Sequence, residues 1–118
     1  MPQPPLDIRL EYVDRVAVLA LAGVVDAATI EQVRRALEPL CENPAPRILL
    51  DCTNLHFINS LGFGLFFKLS QMCKQRQGRL VLAGVCDKLR GVFKVLGLEK
   101  LVDFYPTPAE ALALMGKG

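Results

Sequence analysis

Few side chains in this sequence could do chemistry. The hydroxyl to weigh is Ser60, which lies in Asn59-Ser60-Leu61-Gly62, directly ahead of a long amphipathic run, and reads first as a helix cap. Asn59 or Ser60 at that point can offer a side-chain oxygen to the free N–H groups of a new helix. A helix N-terminus also tolerates a phosphate well. The single histidine, His56, has no nearby ligand or base partner in sequence and reads as a loop residue. Cys41, Cys52, Cys73 and Cys86 form no C-x-x-C pair. That pattern gives no support to a zinc site, so no metal and no cofactor are expected. Cys52 and Cys73 fall among apolar residues and read as reduced, structural thiols. G-x-S-x-G, P-loop and H-E-x-x-H signatures are all absent, which argues against an enzyme.

The elements that must carry these residues follow from the apolar pattern. Ile48, Leu49 and Leu50 form a continuous apolar run, suited to a strand buried on both faces. Asp51 and Asn54 then read as turn and cap residues. After Asn59-Ser60, the residues Leu61, Leu65, Leu69 and Met72 recur at helical spacing and predict a buried helix face. Gly78 is expected to close that helix. A buried strand ending in a polar turn at a helix N-terminus is where α/β folds usually place function.

Upstream, residues 6–13 and 16–21 predict two strands joined at Asp14-Arg15, a β-hairpin. A helix should begin near Ala27, with Ile30, Val33, Leu37 and Leu40 inward and Pro39 ending or kinking it. Downstream, residues 80–85 predict a buried strand. Asp87 should cap a helix whose apolar face is Leu89, Val92, Phe93 and Leu96, with Gly97 in a left-handed C-terminal position. Residues 101–105 predict a short strand. Thr107-Pro108-Ala109-Glu110 is a capping box opening a last helix that runs to Met115. The order β-β-α-β-α-β-α-β-α implies an α/β fold: a mixed, mostly parallel sheet of four or five strands with about four helices.

The chain has 118 residues, 52% of them hydrophobic, and a formal net charge of +2. That is a globular composition and one domain, residues 1–118, with a flexible lead at 1–5 and a frayed tail at 116–118. Charges look scattered along the sequence, with no Lys/Arg block to suggest nucleic acid. Met1-Pro2-Gln3-Pro4-Pro5 does not read as a signal peptide. No apolar run nears the ~20 residues that span a bilayer, so a cytoplasmic location without membrane insertion is expected.

The order of these pieces resembles the STAS domain of bacterial anti-sigma factor antagonists. Gly23-Val24-Val25-Asp26-Ala27-Ala28 is similar to the stretch before that family's first helix. Leu50-Asp51-Cys52-Thr53 with Phe57-Ile58 is similar to the strand and turn before its signature. Gly78-Arg79-Leu80-Val81-Leu82 and Leu96-Gly97-Leu98-Glu99-Lys100-Leu101 resemble its later strand and helix exit. The family signature is commonly Asp-Ser-Ser-Gly or Asp-Ser-Thr-Gly, and a partner kinase phosphorylates the hydroxyl just before the glycine. Here Leu61 occupies that acceptor position and has no oxygen to phosphorylate. Ser60 matches the first hydroxyl, and Asn59 replaces the acidic residue.

The resemblance implies a regulatory module that binds an anti-sigma factor, often a serine kinase with an ATPase-type fold, and thereby frees a sigma factor. A second copy of the chain is a further partner it admits. The expected contact residues are Phe57, Ile58, Asn59, Ser60, Leu61, Gly62, Phe63 and Gly64. Two other functions stay open. A STAS subunit of a lipid-trafficking ABC transporter would share the hydroxyl-then-apolar order, since that branch resembles Asp-Thr-Ala-Gly. A nucleotide or other small-molecule receptor would need a pocket beside Asn59. Within the signature, Leu61 is either an exposed anchor or part of the face of Leu65 and Leu69. Gly62 and Gly64 suggest close approach by another backbone, from a neighbouring loop or from a partner. Phe67 is the aromatic expected to be partly exposed.

Overall fold

The computed structural model describes residues 4–116. The expected lead residues Met1, Pro2 and Gln3 and the tail residues Lys117 and Gly118 lie outside the described residues. Nine elements follow one another: β1 (Leu6–Val13), β2 (Val16–Val25), α1 (Ile30–Cys41), β3 (Arg47–Ile58), α2 (Ser60–Gln75), β4 (Arg79–Ala83), α3 (Asp87–Val95), β5 (Asp103–Tyr105) and α4 (Pro108–Met115). They build one five-stranded sheet in the order β1-β2-β3-β4-β5. Only β1 and β2 are antiparallel; β2-β3, β3-β4 and β4-β5 are parallel. The hairpin turn sits on Asp14 and Arg15, both at positive φ (49° and 68°). Two such residues match the right-handed twist of the strands they join.

The sheet separates two cores. On one face α1, α2 and α3 cover Leu19, Leu21, Ile48, Leu50, Cys52 and Leu82. On the other, α4 alone packs Ala111 and Met115 onto Val16, Val18, Leu49, Val81 and Ala83. The end of this second face nearest β1 is open, a groove of about 270 Å³ lined in part by Arg9, Ala20, Ala22, Asp51 and Asn54. The central strands are apolar on both sides because both sides are covered. Among the described residues no helix is long and apolar enough to cross a membrane.

Several boundaries differ from those the sequence suggests. β3 does not turn at Asp51 and Asn54; it runs on to Ile58. The pairing with β2 jumps from Ala20↔Asp51 to Ala22↔Asn54, and from Gly23↔Leu55 to Val24↔Phe57. Each jump places one extra residue on β3, a bulge that absorbs polar residues without ending the strand. Asp51 Oδ1 accepts from the Thr53 N–H (3.1 Å) and the Thr53 hydroxyl (2.7 Å), so its turn-forming chemistry serves the bulge.

α1 begins at Ile30, not near Ala27, because Asp26 Oδ1 accepts the N–H groups of Ala28 (2.9 Å) and Thr29 (3.2 Å) and holds a turn there. Pro39 does not end α1, which runs on to Cys41. It sits in the last turn on the exposed side, where the helix bond it forgoes is to the solvent-facing Arg35. At the end of α2 the left-handed residue is Gln77 (φ 63°), not Gly78. Gly78 is required for a different reason: a Cβ there would strike the Pro46 backbone. Gly97 does take the expected left-handed position (φ 74°) after α3.

Candidate functional site

The site is assembled at the C-terminal end of β3. The Asn59 N–H donates to the Val25 carbonyl (2.9 Å), tying this point to the end of β2. Asn59 is extended and caps α2, its Oδ1 accepting from the Gly62 N–H at 3.1 Å. Phe57 and Ile58, similar in sequence to the turn before the family signature, still belong to the strand, so Asn59 alone connects β3 to α2. Asn59, and not Ser60, supplies the capping oxygen. Ser60 follows as the first helical residue, exposed, and Leu61 as the second.

Leu61 does not share the buried face of Leu65 and Leu69. It is 54% exposed, as Phe57 is 45% exposed, while Leu65 and Leu69 are buried. The inward face of α2 is instead Gly62, Phe63, Leu65, Phe66, Leu69, Ser70 and Cys73, with Met72 half-buried. Ile58, Gly62 and Phe63 are therefore buried, and shape the surface from beneath. Gly62 lets the helix sit down on its neighbours: a Cβ there would lie 2.6 Å from Ile58 Cγ2 and 2.8 Å from Val25 Cγ1. The close neighbours are side chains, not the backbone expected from sequence. Gly64 is exposed, and a Cβ there would meet nothing within 4 Å. Phe67 is half-buried, in line with expectation, and lines a groove with Lys68, Gln71, Met72 and Gln75.

α3 stands next to this helix start. Phe63 and Phe93 meet edge to face at 4.5 Å between centroids, and Phe93 meets Phe104 at 4.9 Å. Such pairs contribute about 0.5–1.5 kcal/mol beyond their burial. Of the apolar face expected for α3, only Leu89 and Phe93 are buried; Val92 and Leu96 are exposed, and Val95 is 86% exposed. The sequence carried a signal for this. Apolar residues at 89, 92, 93, 95 and 96 span more of a helix than one buried stripe needs. Asp87 is the first residue of α3, preceded by Cys86 in the capping position without a side-chain bond. Its charge at a helix N-terminus is favourable all the same.

His56 is exposed on β3. Among the described residues no cluster of three or more His, Cys, Asp or Glu is placed to hold a metal ion. Cys41 on α1 and Cys73 on α2 are both buried; interaction with Cys73 and burial push the Cys41 thiol up, while interaction with Cys41 holds the Cys73 thiol down. Burial likewise pushes the Cys52 thiol up. Cys86 is exposed. What this end exposes is uncharged, Phe57, Ser60, Leu61 and Gly64, and the neighbouring α3 exposes Val92 and Val95, with Leu96 at its C-cap.

The STAS domain family model matches residues 7–111. The chain is a STAS domain protein of the anti-sigma factor antagonist family. The anti-sigma-B factor antagonist of Listeria monocytogenes is 32% identical over 83 residues, which cover 70% of this chain and 73% of that protein. The crystal structure of an anti-sigma factor antagonist from Mycobacterium paratuberculosis superposes with a TM-score of 0.85 at 21% identity, covering 98% of each chain. The phosphorylated form of the Bacillus cell fate determinant SpoIIAA superposes with a TM-score of 0.70 at 24% identity, covering 92% of this chain and 98% of that one. The five-stranded mixed sheet with four helices is the STAS fold.

Proposed function

We propose that this STAS protein acts in the cytoplasm as an anti-sigma factor antagonist whose binding is not switched off by phosphorylation. Its partner is an anti-sigma factor, a serine kinase of ATPase-type fold, and capture of that partner frees a sigma factor. The protein itself is a regulatory module and not an enzyme. The contact surface is Phe57, Asn59, Ser60, Leu61 and Gly64, with Ile58, Gly62 and Phe63 holding its shape.

One observation carries this reading: the residue at the acceptor position, Leu61, is a leucine exposed at the second position of α2. Phosphate on a hydroxyl there would add roughly −1.5 to −2 charges at neutral pH. A helix N-terminus accommodates that charge, but a partner surface fitted to a neutral group does not. Leu61 keeps the surface neutral and adds apolar area. Ser60 is a poor substitute acceptor, because one residue along a helix is a rotation of ~100°.

The test is a pull-down with the tagged protein, followed by incubation of the complex with ATP and mass spectrometry. Retention of an ATPase-type kinase, with the complex intact in ATP and Ser60 unmodified, is the expected result. Stoichiometric phosphate on Ser60 with loss of the complex would refute constitutive binding. Capture of an ABC ATPase would move the chain to the lipid-trafficking branch.

A further inference from the structure

The net charge of +2 conceals a segregation that the fold makes visible. Residues 59–101 carry eight Lys or Arg against two Asp or Glu, so the rest of the chain carries six against ten. No acidic residue occurs between Asp51 and Asp87. This segment contains α2 and α3, which lie on the same side of the sheet and meet through Phe63 and Phe93.

The charges are placed around the exposed apolar residues. On α2 the outward positions Leu61, Gly64, Lys68, Gln71 and Gln75 follow one another at spacings of three and four, one helical face. On α3, Lys88, Val92 and Val95 form the corresponding outward stripe, with Lys94 and Leu96 beside it. Lys100 is exposed in the segment that follows. Lys68, Lys88, Lys94 and Lys100 form no ion pair among the described residues. The salt bridges of this segment fall on Arg90, which pairs with Glu99 at 3.3 Å and stacks on Phe104, and on Arg79, 3.9 Å from Asp103. Four lysines thus lie beside exposed apolar residues, unpaired among the described residues, and the one exposed carboxylate on these two helices is Asp87 at the start of α3.

We infer that the partner docks on α2 and α3 together and meets them with an apolar contact edged by Asp and Glu side chains. The inference rests on the functional reading above and specifies the chemistry of the partner's surface. Charge complementarity carries it: exposed apolar residues accompanied by four unpaired lysines and a single exposed carboxylate disfavour a basic partner and select an acidic one. Flexible lysines at the rim of an interface act mainly on the rate of encounter. Such steering raises association by 10- to about 1,000-fold and is suppressed by salt.

The experiment measures association by stopped flow. The probe is the purified ATPase-type anti-sigma kinase from the same genome, with wild type, Lys68→Glu and the double variant Lys88→Glu/Lys94→Glu. For wild type, the association rate should fall at least about 10-fold between 20 and 300 mM NaCl. In the double variant the low-salt rate should fall about 10-fold and its salt dependence flatten, with the dissociation rate changed less than 3-fold. Tight binding with a salt-independent rate would overturn the acidic-partner inference and leave the functional reading standing. No binding of the kinase by wild type would overturn both. Parallel titrations use vesicles containing phosphatidylserine and a random-sequence DNA duplex at 150 mM NaCl. Binding there that the lysine variants abolish would assign this face to a membrane or to nucleic acid, and would also overturn it.

Discussion

Two helix N-termini in this protein are built to different ends. α4 begins with Thr107, whose hydroxyl accepts from the Glu110 N–H at 3.2 Å, then proline in the first turn and an acidic side chain at Glu110. Every one of those choices favours the helix. α2 begins with an equivalent cap, Asn59 Oδ1 accepting from Gly62, but its first turn has no acidic residue. Two glycines follow within five residues, each a cost of about 0.5–1 kcal/mol relative to alanine in a helix. The second exposes nothing but backbone, and a leucine between cap and glycine points outward. The start of α4 is optimised for local stability. The start of α2 gives up local stability and leaves Leu61 exposed, and that contrast is the reason it is proposed as the functional end.

The comparison can be broken or sharpened by substitution, beginning with the largest expected effect. Gly62→Val forces a branched side chain into Ile58 and Val25, and should cost about 1–3 kcal/mol of stability by overpacking. Urea unfolding measures it, and a neutral result would remove the reason given for Gly62. Asn59→Ala and Thr107→Ala each delete one capping bond, and each should cost about 1 kcal/mol. If Asn59→Ala were silent and Thr107→Ala were not, the caps would not be equivalent. Gly64→Ala meets only open space, and should stabilise by about 0.5–1 kcal/mol. Lower affinity in a more stable Gly64→Ala protein would locate a partner backbone close to this position. The smallest effect is Leu61→Ala on stability alone, within about 0.5 kcal/mol for an exposed side chain. A loss of several kcal/mol in calorimetry would return Leu61 to the core.

The same contrast explains what could be seen in advance. The α4 start was legible because Thr107, Pro108 and Glu110 each prefer the position they hold, and the hairpin was legible from the polar dipeptide Asp14-Arg15. The order of strands and helices followed from apolar periodicity, which the two covered sheet faces enforce. The length of β3 was not legible. Asp51 and Asn54 have turn chemistry, and only the register against β2 shows that they sit at bulges. The direction of Leu61 was ambiguous because it is spaced like a core residue from Leu65, while Gly62 and Phe63 turn the helix so that their own side meets the sheet. The cationic face was missed because its lysines are dispersed in sequence and gathered by α2 and α3. The acid-free run from Cys52 to Cys86 was the available signal.

The central claim is that exposed Leu61 anchors the partner at the position where the family places a switchable hydroxyl. Leu61→Asp tests it directly, with affinity for the kinase and melting temperature measured on the same preparation. An aspartate in the first turn suits the helix, so the melting temperature should hold or rise slightly. Affinity should fall by about 2 kcal/mol or more, the loss expected when a central anchor is replaced by a charge in an apolar contact. A folded Leu61→Asp protein that binds the kinase as tightly as wild type would contradict the claim.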